Sequence, residues 1–141
     1  MKVVLDANIF VSAAIQHGPS HRIIQEWLQG GRLEVVMCPR LLDEITSVLT
    51  QRPRIRKWIS IADAKVFVEN IMTMLDLVPD PCEVDHLLRD KSDDYLVALA
   101  QENGAEYIVT GDRDLLDWSP QLLPIVSPAG FETILASIQK W

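Results

Sequence analysis

MKVVLDANIF, residues 1–10, is the stretch that decides the fold. Val3, Val4 and Leu5 form an apolar, β-branched run without helical spacing, which is typical of a strand buried inside a sheet. Asp6 follows this run directly, and the apolar stretch Ile9–Ile15 favours a helix. A carboxylate at the end of a buried strand loses hydration and needs a partner. The stretch therefore predicts a strand, an acid at its end, and a helix.

The alternation of strand and helix continues along the chain. The predicted strands are Val3–Leu5, Leu33–Met37, a weaker Leu75–Val78, Tyr107–Thr110 and Leu123–Val126. The predicted helices include His21–Leu28, Pro39–Leu49, Ile61–Met74, Asp93–Asn103 and Pro128–Ile138, with Ser20 and Ser92 as candidate N-caps. This order predicts one α/β domain over residues 1–141. Its mostly parallel sheet of about five strands should carry helices on both faces.

Acidic residues follow the predicted strands or lie near the starts of the next helices: Asp6, Glu44, Asp93 or Asp94, and Asp112. Strand ends and helix starts share one edge of such a sheet, and ligands bind there. On the helix from Pro39, Glu44 borders the apolar face and Asp43 points to water. On the next acidic helix, Asp93 lies on the apolar stripe and is the better inward ligand, with Asp94 second.

Carboxylates gathered at one edge repel one another unless a cation holds them together. Their hard oxygens suit Mg²⁺ or Mn²⁺, so the pattern predicts a divalent-metal site and metal-dependent phosphodiester chemistry. The alternative for the helix-opening acids, taken singly, is an ordinary N-terminal cap. Asp6 and Asp112 each follow an apolar strand, and their joint occurrence with the other acids favours the metal site.

A basic segment lies between two predicted helices. Arg52, Arg54, Arg56 and Lys57 precede Trp58, a combination that could dock phosphates and stack a base. The alternative, which we favour from the sequence, is a solvated loop with Trp58 in the core.

Composition limits the function classes. The 141 residues carry a formal net charge of −7, which argues against a generic nucleic-acid coat with a basic face. Cys38 and Cys82 lack CxxC spacing, and His17, His21 and His86 are not spaced as a metal triad. We find no signal-peptide pattern and no apolar stretch of membrane-spanning length, so we predict a cytoplasmic protein.

Four segments, VVLDANIF, LLDEITSVL, DKSDDYLVALA and YIVTGDRDLL, occur in this order between Val3 and Leu116. With them the chain resembles PIN-domain proteins, in particular the small prokaryotic VapC-like toxin ribonucleases of toxin–antitoxin pairs. The resemblance runs from Met1 to about Trp118. It implies a three-layer α/β/α sandwich and a Mg²⁺- or Mn²⁺-dependent endoribonuclease. It also implies an RNA substrate, an antitoxin partner and a homodimer.

Carried over by position, the family's four acids fall on Asp6, Glu44, Asp93 and Asp112, while Asp94 and Asp90 are near enough to take the third place. Asn8 and Thr110 match supporting polar positions. Asp6, Asp93 and Asp112 would hold metal, and Glu44 would bind metal or orient the attacking water.

Two other function classes remain open. A phosphoaspartate receiver or a phosphatase also uses an aspartate at a strand end. The phosphatase pattern needs a second acid where Asn8 stands. Both patterns also need a suitably placed lysine, and in this sequence no lysine follows a strand in the right region. The third reading is a non-catalytic module whose acidic pocket recognises a partner.

Overall fold

A computed structural model describes residues 1–81, 91–117 and 123–138, with only the backbone of residues 91–94. The strands are β1 (Lys2–Leu5), β2 (Glu34–Val35), β3 (Tyr107–Val109) and β4 (Ile125–Val126). The α-helices are α1 (Ala7–Ile15), α2 (Pro19–Leu28), α3 (Pro39–Gln51), α4 (Ile61–Met72), α5 (Lys91–Glu102), α6 (Arg113–Leu116) and α7 (Pro128–Ile138). A 3₁₀ helix, Pro53–Lys57, joins α3 to α4.

The four strands of the described residues form one parallel sheet in the order β2-β1-β3-β4. The predicted α/β class with a mostly parallel sheet is confirmed. Val3, Val4 and Leu5 on β1 are fully buried, because β1 is paired on both sides and α5 packs against it. Helix α1 packs against α2 and α3, α2 also contacts α7, and α3 contacts α4.

The register of β1 and β3 decides where the acids meet. Leu5 and Val109, the last residues of these two strands, are direct partners in the parallel ladder. The residues that follow them, Asp6 and Thr110, therefore leave the sheet side by side. The Asp6 amide still donates to the Val109 carbonyl at 3.0 Å, which continues the ladder one residue past the strand.

Several local predictions need correction. The predicted third strand, Leu75–Val78, makes only an isolated bridge between Leu77 and Met37, since Leu77 is half exposed and lacks a second strand to pair with. Ser20 is not an N-cap but a buried residue inside α2, whose cap is Gly18. Ser92 likewise lies inside α5, because that helix includes Lys91, two residues before the first helical residue that a Ser92 cap requires.

No helix in the described ranges is long and apolar enough to cross a membrane.

Candidate acidic site at the sheet edge

Asp6 is the first acid of the site. It is the N-cap of α1, and its Oδ1 accepts a hydrogen bond from the Asn8 amide at 3.4 Å. Only 6% of the residue is exposed, because the buried strand β1 delivers it directly into the protein. The Asn8 residue itself is exposed and contributes its backbone to Asp6.

Thr110 links Asp6 to Asp112. Its hydroxyl is fully buried and donates to Asp6 Oδ2 at 2.7 Å. The hydroxyl oxygen of Thr110 also accepts a hydrogen bond from the Asp112 amide at 3.0 Å. Since a hydroxyl has one proton, these two bonds fix its orientation. We call Asp6, Thr110 and Asp112 the acid group, and two successive hydrogen bonds connect its three members.

Asp112 has a structural role as well as a place in this group. It is the N-cap of α6, and its Oδ1 accepts from the Asp114 amide at 2.9 Å. Its side chain is partly exposed, whereas Asp6 is buried. One carboxylate therefore lies inside the protein and the other faces solvent beside it.

The electrostatics of Asp6 favour a bound cation. Burial is the largest cause that raises the pKa of Asp6 above its ordinary value, and the negative charge of Asp112 raises it further. The hydrogen bonds from Thr110 and Asn8 act in the opposite direction. No arginine or lysine whose side chain is described forms an ion pair with Asp6. Two neighbouring carboxylates without a cationic partner fit a divalent metal, which prefers such oxygens.

Glu44 lies on α3, outside the hydrogen-bonded acid group. It is an exposed residue in the helix's second turn. Burial is the largest cause that raises the pKa of Tyr95, and the charges of Glu44 and Asp6 raise it further. Glu44 and Asp6 are thus both within electrostatic range of Tyr95.

The third acid falls at the start of α5. Asp93 and Asp94 are in the first turn of this helix, which packs against β1 and β3, but their side chains are among those not described. Asp90 lies outside the described residues. Among the side chains that are described, no three His, Cys, Asp or Glu residues converge as a metal site. A complete ligand set would therefore require Asp93 or Asp94.

A family model for the PIN domain matches residues 2–114, from β1 through Asp112. The chain belongs to the PIN-domain family. This PIN domain is 26% identical to the uncharacterized protein MJ1680 of Methanocaldococcus jannaschii over 116 residues, which cover 82% of this chain and 74% of the relative.

The fold of this PIN domain is also similar to a solved structure. One chain of the crystal structure of VapBC2 from Rickettsia felis, bound to a DNA fragment from their promoter, aligns with a TM-score of 0.64. The alignment covers 90% of this chain and 98% of that chain at 13% identity. At this identity the similarity shows the fold.

The basic segment of this PIN domain follows the C-terminal end of α3. Its first residue, Arg52, is eight residues beyond Glu44, a rise of about 12 Å along the helix axis. Arg56 is turned inward and donates to the Leu49 carbonyl, while Arg52, Arg54 and Lys57 are exposed. Trp58 is 65% exposed, so our prediction that it lies in the core is wrong.

Sequence reasoning missed four residues around the acid group. The Arg40 guanidinium lies over the Tyr95 ring, with its Cζ 4.1 Å from the centroid. Asp80 Oδ1 accepts from the Arg40 amide at 2.9 Å, and Asp80 also contributes to the raised pKa of the buried Cys38 thiol. The sequence could have indicated Tyr95, because it is a polar aromatic residue on the apolar stripe of an acidic helix. It could not have indicated Asp80, since the partner of Asp80 is 40 residues away.

Proposed function

We propose that this PIN domain is a divalent-metal-dependent endoribonuclease that hydrolyses RNA phosphodiester bonds. The observation that carries the proposal is the Thr110 hydroxyl, which holds the buried Asp6 carboxylate beside Asp112 at the edge of the sheet. Membership of the PIN-domain family supports it, because the same segments carry both the match and these acids.

The acids would hold Mg²⁺ or Mn²⁺. Asp6 and Asp112 would each provide carboxylate oxygens, and Asp93, with Asp94 as the alternative, would complete the set. When bound, the ion supplies Lewis acidity, which makes water more acidic and stabilises negative charge on phosphate oxygens. Glu44, on α3, would bind the ion or orient the attacking water.

The described residues prepare this site for a cation and a substrate. Thr110 and the α1 amides hold Asp6 in one orientation, so little conformational freedom remains to be lost when a ligand binds. Burial of Asp6 keeps water from one side of its carboxylate and strengthens its attraction for a cation. The partly exposed Asp112 leaves the other side open to solvent and substrate.

The decisive experiment compares wild-type protein with Asp6→Asn and with Asp43→Asn, an exposed acid of the same α3 that carries Glu44. Cleavage of a labelled RNA is measured with Mg²⁺, with Mn²⁺ and with EDTA. We expect wild type and Asp43→Asn to cleave only with metal. Asp6→Asn should lose roughly 100-fold or more, since even residues behind a metal ligand contribute 10- to 100-fold.

The same assay separates the other two function classes. Hydrolysis of p-nitrophenyl phosphate without RNA cleavage would identify a phosphatase. Neither RNA cleavage nor phosphatase activity would indicate a non-catalytic module. RNA cleavage that persists in EDTA, or full RNA cleavage by purified Asp6→Asn, would contradict the proposal.

We further propose that the chain is a cytoplasmic toxin of a toxin–antitoxin pair and forms a homodimer. The fold similarity to a chain of the VapBC2 structure supports this role. Induced expression of wild type in bacteria should arrest growth, and Asp6→Asn should not. Sedimentation equilibrium tests the dimer, and co-purification of a small protein encoded next to this gene tests the partner.

The exposed basic segment would dock RNA away from the cleavage site. Arg52, Arg54 and Lys57 can reach phosphates, and Trp58 can stack a base. Arg56 would stabilise the segment through its bond to the Leu49 carbonyl. Replacing Arg52 and Arg54 by glutamine should weaken RNA binding and reduce its salt dependence, with little effect on the rate once substrate is saturating.

A further inference from the structure

Arg40 is a cation held at the surface by its contacts with Asp80 and Tyr95. It is the second residue of α3, and Asp80 fixes its backbone by accepting the amide hydrogen at 2.9 Å. Its guanidinium lies 4.1 Å from the Tyr95 ring centroid, a distance typical of a cation–π contact. Arg40 is exposed, while Tyr95 is 1% exposed. The guanidinium therefore lies on the solvent side of a buried ring.

Tyr95 connects this cation to the acids. Its hydroxyl is buried and has no hydrogen-bond partner among the described residues. The charges of Glu44 and Asp6 both act on that hydroxyl. Tyr95 thus contacts Arg40 and lies within electrostatic range of Asp6.

Among the residues that the structure describes, the guanidinium of Arg40 has no ion-pair partner. The ring of Tyr95 occupies one of its faces. A planar guanidinium matches two phosphate oxygens with parallel N–H donors. RNA approaching this acidic protein is repelled by its carboxylates, and a fixed cation beside them offsets that repulsion.

We propose that Arg40 binds a phosphate of the RNA next to the acid group, with Tyr95 as the platform that keeps the guanidinium in place. This proposal rests on the proposed ribonuclease function and adds a substrate-positioning residue to it. The acid group would hold the metal ion at the scissile phosphate. The phosphate that Arg40 contacts would therefore be one beside the scissile bond.

Binding of a labelled single-stranded oligoribonucleotide is measured by fluorescence anisotropy in EDTA over a range of salt concentrations. The variants are Arg40→Gln, Arg40→Lys and, as the matched control, Lys65→Gln, which removes the same charge from an exposed position on α4. Arg40→Gln should weaken binding roughly tenfold, because a charge-assisted hydrogen bond is lost. The slope of log Kd against log salt should fall by about 0.7, the value for one single-strand phosphate contact.

The remaining variants separate positioning from a structural role. Arg40→Lys should recover part of the binding, since it keeps the charge but not the planar edge. Tyr95→Phe keeps the ring and should bind RNA as wild type does, whereas Tyr95→Leu should behave like Arg40→Gln. Thermal melts of every variant show whether a loss of binding is a loss of folding.

A salt slope and Kd for Arg40→Gln equal to those of Lys65→Gln would overturn the proposal, even if wild type cleaves RNA. A reduced slope in a protein that binds RNA but cleaves none with Mg²⁺ or Mn²⁺ would support Arg40 as a phosphate contact and would overturn the ribonuclease function alone.

Discussion

At the scale of single residues, the buried Thr110 hydroxyl makes two hydrogen bonds. It donates to the Asp6 carboxylate at the end of β1 and accepts from the amide of Asp112, the N-cap of α6. Valine has nearly the same shape without the hydroxyl, so it isolates these two bonds.

We expect Thr110→Val to lower the free energy of unfolding by about 1–3 kcal/mol, because it leaves buried polar groups unpaired. The pKa of Asp6 should rise further, since the Thr110 hydrogen bond now lowers it. Urea denaturation measures the first effect and NMR titration of the carboxyl the second. Thr110→Ser is the control, because it keeps the hydroxyl and removes only the methyl group. Wild-type stability in Thr110→Val would show that the two hydrogen bonds contribute nothing.

The raised pKa of Asp6 also predicts how the stability of the protein changes with pH. The folded protein binds this proton more tightly than the unfolded chain, whose ordinary value is 3.8. The stability contributed by Asp6 is therefore complete below that value and falls as the pH rises through the folded-state pKa. Asparagine is an equally good N-cap without the charge.

In EDTA, Asp6→Asn should be more stable than wild type at pH 7, and this gain should shrink towards zero near pH 4. Urea denaturation at both pH values measures it. A constant difference between the two proteins at both pH values would show that the charge of Asp6 carries no stability cost.

At the scale of elements, the start of α3 depends on a residue far away in sequence. Pro39 begins the helix, and Asp80 accepts the amide of the residue after it. Burial raises the pKa of the Cys38 thiol to about 11, and the nearby Asp80 contributes to that increase.

Asp80→Ala should cost about 1 kcal/mol, as loss of a helix N-terminal acceptor usually does. It should also speed alkylation of Cys38 at pH 8, because a lower pKa gives more thiolate. Mass spectrometry of the Cys38 peptide follows the reaction, and Asp76→Ala is the exposed acidic control. Unchanged alkylation together with lost stability would separate the two roles of Asp80.

Elements whose signal is local could be predicted, and those that depend on distant partners could not. The buried run of β1 and the apolar stripe of α3 carry their own periodicity, so their positions were readable. The sequence of Leu75–Val78 predicts a strand, but strand pairing depends on neighbouring strands. In the described residues this segment makes one bridge, between Leu77 and Met37. Trp58 reads as a core residue because its size alone was visible, whereas the 3₁₀ helix leaves it exposed.

At the scale of the whole molecule, the acids of the site come from both ends of the chain. Asp6 and Asp112 are brought together by the parallel register of β1 and β3, which topology rules made foreseeable. The Arg40–Tyr95 contact was not foreseeable, since it depends on the packing of α3 against α5 rather than on strand order.

A site shared by distant segments should link metal binding to global stability. Adding Mg²⁺ should raise the melting temperature of wild type, with a gain of about 2.7 kcal/mol when the ion is at 100 times its Kd. Asp6→Asn should show little increase, and Asp43→Asn should respond like wild type. Differential scanning calorimetry with Mg²⁺ or EDTA measures the effect, and equal shifts in all three proteins would indicate that the ion binds elsewhere.

The Asp6 side chain that caps α1 cannot swing aside without breaking its hydrogen bonds to the Asn8 amide and to Thr110. If this residue serves the proposed hydrolase, the site stays assembled in the resting protein, because moving the carboxylate would cost both bonds. Restraint would then come from outside, by something that blocks access or withholds the ion. Under the proposed toxin role, a cell that makes this protein would need an inhibitor ready at the moment of synthesis.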